Sequence, residues 1–313
     1  MDISSGRYLV TGGAGFIGSQ LCEYVLESGG TVVVADDLTS GRREWVPDGV
    51  TFHQCDLTDR AAVSSIVDTD LDGIFHLAAR KAVNDAEPRA QFSENTAMTH
   101  ELLYAATQAG VENVVYTSSS TVYGEAPRPT PEDYAPLEPI SVYGASKLAD
   151  EGLLSTYAYA HGLTIWNFRF ANVVGPRLRG AVIPDFIEKL RDDPHRLQIL
   201  GDGRQEKSYL HVTDCLDAID HVVEHTPSDS GRLHTFNLGT RTTTAVDTIA
   251  DIVSDVLDVD PEYEYTGGDR GWTGDVPRMR LSIEKLRALG WEPTYESDEA
   301  VRTAATELTK ELL

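Results

Sequence analysis

Tyr143 and Lys147 stand four residues apart in Tyr143-Gly144-Ala145-Ser146-Lys147, at the start of a segment that reads as a helix, so their side chains leave one face. A free phenol titrates near about 10, too high for a general base at neutral pH, and a fixed ammonium close by favours the tyrosinate and lowers that value. Together the two residues make a candidate base. By itself, Tyr-x-x-x-Lys is equally at home as an ordinary surface pair. The chemical reading gains weight from the hydroxyl-rich run Thr117-Ser118-Ser119-Ser120-Thr121, which follows a predicted strand at the expected edge of the same site.

A second cluster, Thr11-Gly12-Gly13-Ala14-Gly15-Phe16-Ile17-Gly18, lies between the first predicted strand and a helix. Glycine suits a tight strand-to-helix turn, and a missing Cβ lets backbone N–H groups and the helix N-terminus approach a pyrophosphate. Such a cluster also serves simply to pack a turn on its own helix. The next strand supplies context, because it ends at Asp36, eighteen residues beyond Gly18. A carboxylate there accepts hydrogen bonds from the adenosine ribose and repels a 2′-phosphate, which favours NAD over NADP. Asp36 as a loop or capping residue is the plainer alternative. Arg42 and Arg43 nearby are open to two roles, a grip on that phosphate or surface solvation.

These groups need a frame. Apolar, β-branched runs alternate with helical segments through the first half: strands at Arg7–Thr11, Thr31–Ala35, Thr51–Gln54, Gly73–Leu77, Asn113–Thr117 and Leu163–Phe168, helices near Gly15–Ser28, Asp59–Val67, Gln91–Ala109 and Tyr143–Ala160. This is the βαβ pattern of an α/β fold, a Rossmann-type doubly wound parallel sheet, with ligands beyond the carboxyl ends of the strands. After Gly175 the alternation gives way to a stretch punctuated by Pro176, Pro184, Pro194, Gly201 and Gly203. The expected organisation is an NAD-binding domain at 1–174, with 211–245 returning to it through a strand at Thr235–Leu238. A smaller, C-terminal substrate-binding lobe is expected from 175–210 and 246–313.

Composition narrows the classes. The chain has 50 Asp and Glu against 26 Lys and Arg, a formal net charge of -24, which argues against nucleic acid as a partner. So acidic a surface repels itself at low salt and is screened near 1 M, where the Debye length is about 3 Å; the composition resembles that of proteins from salt-accumulating microbes. Cys22, Cys55 and Cys215 are odd in number and without Cys-x-x-Cys spacing, so no disulfide framework and no metal site is expected. No segment approaches the ~20 apolar residues of a membrane span and no leader pattern opens the sequence, so a cytoplasmic location is expected.

Further landmarks are Asp36-Asp37-Leu38, Cys55-Asp56-Leu57, His76-Leu77-Ala78-Ala79, Asn95, Ser118 to Gly124, and Arg169 to Arg177. Val182-Ile183-Pro184 follows, then Gly201-Asp202-Gly203 running on to Lys207-Ser208-Tyr209-Leu210-His211-Val212 with Asp214, and Arg270 ahead of Gly274-Asp275. In this order and spacing the chain resembles, over nearly its whole length, an extended short-chain dehydrogenase/reductase: a nucleotide-sugar epimerase/dehydratase of the UDP-glucose 4-epimerase type. The resemblance implies that Gly12, Gly15 and Gly18 hold the pyrophosphate of NAD, Asp36 the ribose, and Asp56 and Leu57 the adenine edge, with Phe16, Ile17 and Asp37 also at the cofactor. It places Ala78, Ala79, Asn95 and Ser118 along the cofactor, and gives Lys147 the nicotinamide ribose as well as the tuning of Tyr143. Ser119 would steady the reacting sugar oxygen, and Asn172, Lys207 and Arg270 would contact the substrate, Arg270 as an always-charged clamp on the diphosphate. Two departures stand out: Lys207 where the family usually has Arg, and Phe170-Ala171-Asn172 where many relatives read Tyr-Phe-Asn. His76 and His211 read as structural. The family further implies a homodimer through the helices at Gln91–Ala109 and Tyr143–Ala160.

In that family the tyrosinate takes the proton of a ring hydroxyl while its carbon gives hydride to NAD, leaving a 4-keto sugar. Dehydrating relatives typically carry an Asp-Glu pair after the catalytic hydroxyl residue, and decarboxylating ones a Glu; Ser120 and Thr121 hold those positions here. The expectation is therefore return of the hydride to the opposite face, a UDP-glucose/UDP-galactose type 4-epimerisation. The alternatives are a dehydratase or decarboxylase of the same family, or a non-catalytic NAD or nucleotide-sugar sensor that keeps the fold.

Overall fold

The β-branched runs of the first half form a seven-stranded sheet in the computed structural model, which describes residues 1–81, 87–227, 231–272 and 274–313. Its strands are β1 (Arg7–Thr11), β2 (Thr31–Asp36), β3 (Thr51–Gln54), β4 (Gly73–His76), β5 (Asn113–Ser119), β6 (Thr164–Phe170) and a returning strand at Leu233–Leu238. They lie in the order β3, β2, β1, β4, β5, β6, returning strand. β1 pairs in parallel with both β2 and β4, β2 with β3, and β4 with β5. Such strands are covered on both faces, which is why Val32-Val33-Val34-Ala35 is apolar throughout rather than alternating. Strand order reverses between β1 and β4, and the loops after those two strands carry the glycine cluster and Ala78.

Helices α1 (Phe16–Ser28), α2 (Arg60–Ile66), α3 (Pro88–Ala109) and α4 (Val142–His161) connect these strands. Gly29 ends α1 in the left-handed region at φ 105, and Asp59 caps α2 by accepting from the Ala61 N–H at 2.8 Å. One core cluster gathers Leu9, Val33, Val63, Ile74, Leu102 and Ala106; another gathers Leu103, Tyr116, Leu154, Tyr157 and Ile165. Adjacent residues of α3, Leu102 and Leu103, thus serve two clusters. Full burial of a leucine contributes about 1.5–3 kcal/mol.

By its internal contacts the chain divides into two compact units. The first comprises Met1–Val122, Val142–Arg169 and Ile219–Phe236, and the second Tyr123–Ser141, Phe170–Ala218 and Asn237–Leu313. In the second, helix Val182–Asp192 buries Ile183, Phe186, Ile187 and Leu190, a single stripe by helical spacing, and packs on helices Val246–Leu257 and Ser297–Leu312. Pro184 lies in the first turn of its helix, where backbone N–H groups lack intrahelical acceptors, so it breaks nothing there. The irregularity expected after Gly175 is thus partly helix. Strand Glu206–Lys207 lies between Thr244–Ala245 and Arg278–Met279, and Tyr209–His211 pairs in parallel with Asn172–Val174.

Among the described residues no helix is long and apolar enough to cross a membrane. None of the described His, Cys, Asp and Glu side chains form a group that could hold a metal ion. Cys22 and Cys215 are buried, Cys55 is half-buried, and all three are free thiols.

Candidate active site

The glycines of the β1–α1 turn are held there by steric need. Gly12 has φ +70, and a Cβ on it would meet the Ala78 backbone nitrogen at 2.8 Å. A Cβ on Gly18 would lie 2.1 Å from the Gly12 carbonyl oxygen. α1 therefore closes directly on the turn. Its N-cap, Gly15, offers no side-chain cap, and its first turn holds no acidic residue; the first N–H groups and the positive end of the helix dipole are left for an anion. Phe16 is buried and Ile17 half-buried at that end.

Asp36, 7 % exposed, accepts from the Ala14 N–H at 3.0 Å and the Leu38 N–H at 2.8 Å. It ties the end of β2 to the glycine turn, and each oxygen keeps a lone pair for a ribose hydroxyl. Burial pushes its carboxyl above the usual range, against the pull of those two N–H groups. Asp37 and Asp56 are exposed and make local turns, Asp37 with Thr39 and Asp56 with Thr58, both at 2.8 Å from the backbone nitrogen. The Leu57 side chain belongs to the core, so only its backbone is open to a ligand. An uncapped helix start, a turn without room for Cβ atoms and a carboxylate at the end of β2 fit the NAD that the sequence implies.

Lys147 is 2 % exposed. Its ammonium donates to the Tyr116 hydroxyl at 3.0 Å and the Thr117 carbonyl at 2.8 Å. Burial pushes the amine down to about 8, while the Asp150 and Glu151 carboxylates oppose that drop. At pH 7 it is thus protonated by about ten to one. Tyr143 is half-buried, with its ring centre 5.9 Å from the Lys147 nitrogen. Burial raises the phenol, and the Asp150 charge adds to the rise. This reverses the direction expected from spacing alone, because the ammonium engages Tyr116 first and desolvation dominates at Tyr143.

Ser119, at the end of β5, accepts from the Thr121 hydroxyl at 2.9 Å and the Thr121 N–H at 3.2 Å, which orients its oxygen. Ser118 donates instead to Glu151 at 2.6 Å. Asn95, expected along the cofactor, ties the loop after β4 to α4: it accepts from the Arg80 N–H at 2.8 Å and donates to Ser146 Oγ at 3.0 Å, and Ser146 Oγ donates to the Tyr143 carbonyl at 2.8 Å. Ala78 and Ala79 are half-buried in that loop. His76 is hydrogen-bonded to Thr11 at 2.7 Å and Thr99 at 3.1 Å; burial and the Lys147 charge push it down to about 3, so it is neutral.

The expected substrate residues Asn172, Lys207 and Arg270 lie in the second unit. The side-chain nitrogen of Asn172 is buried with no hydrogen-bond partner, a donor left for a ligand. Lys207 donates to Asp275 at 2.5 Å and lies 4.9 Å from the Trp272 ring centre. Arg270 forms an ion pair with Glu125 and donates to the Asp275 carbonyl at 2.6 Å. Both cations therefore meet at Asp275, and each is partnered by a carboxylate. His211 bonds Thr213 at 2.8 Å and Glu307 at 3.0 Å.

The profile of the NAD dependent epimerase/dehydratase family matches residues 8–239. The chain belongs to this family. Among solved structures it is similar to a UDP-galactose 4-epimerase, with 43% identity, a TM-score of 0.90 and coverage of 98% of this chain and 100% of that one. The UDP-glucose 4-epimerase of Thermotoga maritima, solved with UDP-glucose, is 30% identical with a TM-score of 0.89 over 98% and 100% of the two chains. That of Thermus thermophilus, solved with NAD, is 33% identical with a TM-score of 0.85 over 96% and 98%.

Membership does not by itself reveal the groups that surround the family pair in this chain. Tyr116, Glu151, Asp275 and Glu125 touch predicted site residues, and Asp150 accepts from Tyr116; sequence reasoning assigned none of the five a role. For Asp150 and Glu151 a signal existed, since they stand three and four residues beyond Lys147 on one helix.

Proposed function

We propose that this chain is an NAD-dependent 4-epimerase that interconverts UDP-glucose and UDP-galactose through a transient 4-keto sugar. The observation that carries the reading is the Tyr143, Lys147 and Ser119 set at the ends of α4 and β5, with Ser120 and Thr121 where elimination would need an acid and a base. Tyr143 takes the proton of the sugar's C4 hydroxyl and returns it after the hydride has come back to the other face. The Lys147 ammonium favours the tyrosinate, and its remaining N–H serves the nicotinamide ribose. Ser119, held by Thr121, donates to the same sugar oxygen as charge develops on it. The chemistry that NAD supplies when bound is reversible acceptance of hydride from C4.

In this reading the first unit binds NAD and the second binds the UDP portion. Gly12, Gly15, Phe16, Ile17 and Gly18 hold the pyrophosphate, Asp36 and Asp37 the ribose, and Asp56 and the Leu57 backbone the adenine. Ala78, Ala79 and Ser118 line the cofactor, with Asn95 fixing their loop. Asn172, Lys207 and Arg270 receive the diphosphate, which replaces Glu125 on Arg270. The deciding experiment is an NMR assay with UDP-glucose, UDP-galactose and their N-acetyl and uronic counterparts. Tyr143→Phe should lose about 10²–10⁴-fold in turnover while retaining NAD. A residual rate above about a tenth of wild type removes Tyr143 as the base.

A homodimer through α3 and α4 belongs to the same proposal. Phe92 at 39%, Tyr104 at 41% and Tyr159 at 76% exposure are large apolar side chains left uncovered on those two helices. Light scattering at working salt should give twice the chain mass of 34.2 kDa. Work in the cytoplasm of a salt-accumulating cell is the setting that the composition supports.

A further inference from the structure

Lys147 has two oppositely charged neighbours on its own helix, both of which support its charge, and they differ in what else holds them. Glu151 accepts two hydrogen bonds from Arg169 on β6, at 2.9 and 2.7 Å, and one from Ser118 on β5, at 2.6 Å. Its charge is matched by the guanidinium. Asp150, 1 % exposed, is paired with no such cation among the described residues. It accepts from the Tyr116 hydroxyl at 2.6 Å, and that hydroxyl accepts from Lys147 at 3.0 Å.

The other groups around the ammonium do not compete. β4 presents His76, which is neutral, with its ring 5.5 Å from that of Tyr116. β5 contributes Tyr116 and the Thr117 carbonyl, α3 the uncharged Thr99 and Asn95, and α4 Tyr143 beside the two carboxylates. Tyr116 remains a phenol, raised by burial and by Asp150.

We propose that Asp150, acting through the Tyr116 hydroxyl, holds Lys147 as the charged and oriented ammonium on which Tyr143 depends. Asp150 and Tyr116 are positioning residues, resting on the epimerase reading only for what the ammonium is used for. A hydroxyl that donates to a carboxylate becomes a better acceptor, so the Asp–Tyr–Lys chain is stronger than its separate links. Without the carboxylate, a lysine at this depth loses its proton more easily. Asp150 also pushes Tyr143 up. The proposal therefore requires that its support of Lys147 outweighs that opposing effect.

The chain has six lysines, so ¹³Cε-lysine NMR of the full-length protein gives a sparse spectrum in which Lys147→Met assigns the wanted signal. The Lys147 signal should titrate near about 8 in the wild type. In Asp150→Asn, which keeps an acceptor for Tyr116, the midpoint should move about one pH unit or more toward acid. Tyr116→Phe keeps the ring in the core and should move it in the same direction by less. An unmoved midpoint in either folded variant overturns the proposal, whatever the activity. If the wild type epimerises, kcat in both variants should fall about tenfold or more at pH 8 with KM for the sugar unchanged. A kcat that rises in Asp150→Asn overturns the proposal. A wild type without epimerase activity but with the shifted midpoints overturns the functional reading and leaves the relay standing.

Discussion

Arg169 grips Glu151 through two hydrogen bonds, at 2.9 and 2.7 Å, with the two side chains 7% and 10% exposed. Because Ser118 donates to the same carboxylate, one buried pair fastens together β6, β5 and α4, the helix that carries the candidate base. Losing one partner leaves an uncompensated buried charge, which typically costs about 3–5 kcal/mol. Glu151→Gln should lower the unfolding free energy by that order in urea at fixed salt. A loss under about 1 kcal/mol, the range of an ordinary surface change, would show that the pair is not what fastens these elements.

The alkaline limit of activity should follow Lys147. Its folded-state amine is lowered from 10.5 to about 8, so the ammonium is lost as pH rises through about 8 rather than through the ordinary lysine value. The linked stability has the opposite sign. Between those two values the unfolded chain binds more protons at this site than the folded one, so the contribution of Lys147 to stability rises with pH. A fall in kcat/KM above pH 8 without a parallel fall in thermal midpoint is the expected pattern. Activity that holds level to pH 10 would detach catalysis from the Lys147 ammonium.

Salt should act in the opposite sense from its effect on an ordinary ion-paired surface. With a formal charge of -24, added ions screen repulsion more than they weaken the exposed pairs, each of which contributes only about 0–1 kcal/mol. Both thermal midpoint and turnover should increase between dilute buffer and ~2 M KCl. A midpoint that stays flat or drops across that range contradicts the halophilic reading.

What the sequence made legible was whatever depends on short-range pattern. The centres of β1 and β2, Tyr8–Val10 and Val32–Ala35, are apolar without alternation because both faces are covered, and Gly12 and Gly18 stand where α1 and the Ala78 loop leave no room for a Cβ. Tyr143 and Lys147 share a face because helical spacing obliges them to. The partners that set their ionisation were hidden. Tyr116 meets Asp150 across 34 residues, and only the packing of α4 on β5 joins them. Lys207 and Arg270 read as substrate contacts, but the carboxylates that hold them here, Asp275 and Glu125, lie 68 and 145 residues away in sequence. In a chain with 50 acidic residues, no local feature pairs Asp275 with Lys207 or Glu125 with Arg270.

The fate of hydrogen separates epimerisation from elimination most cleanly. Ser120 and Thr121 carry no carboxyl group to remove a proton from C5 or to protonate the departing C6 hydroxyl, and Tyr143, the proposed base, is assigned to the C4 hydroxyl alone. The C4 hydrogen should therefore leave for NAD and return within one site, never exchanging with solvent. A UDP-hexose equilibrated with the enzyme in D₂O should become a mixture of C4 epimers with no deuterium on ring carbons, and added NAD should not be consumed. A dehydratase would place solvent deuterium at C5, pass the C4 hydrogen to C6 and release a 4-keto-6-deoxy sugar. Either that product or a steady accumulation of NADH with a stable keto sugar would overturn the epimerase assignment and leave the glycine turn, Asp36 and the Tyr143/Lys147 pair to be explained by another oxidation of the same substrate class.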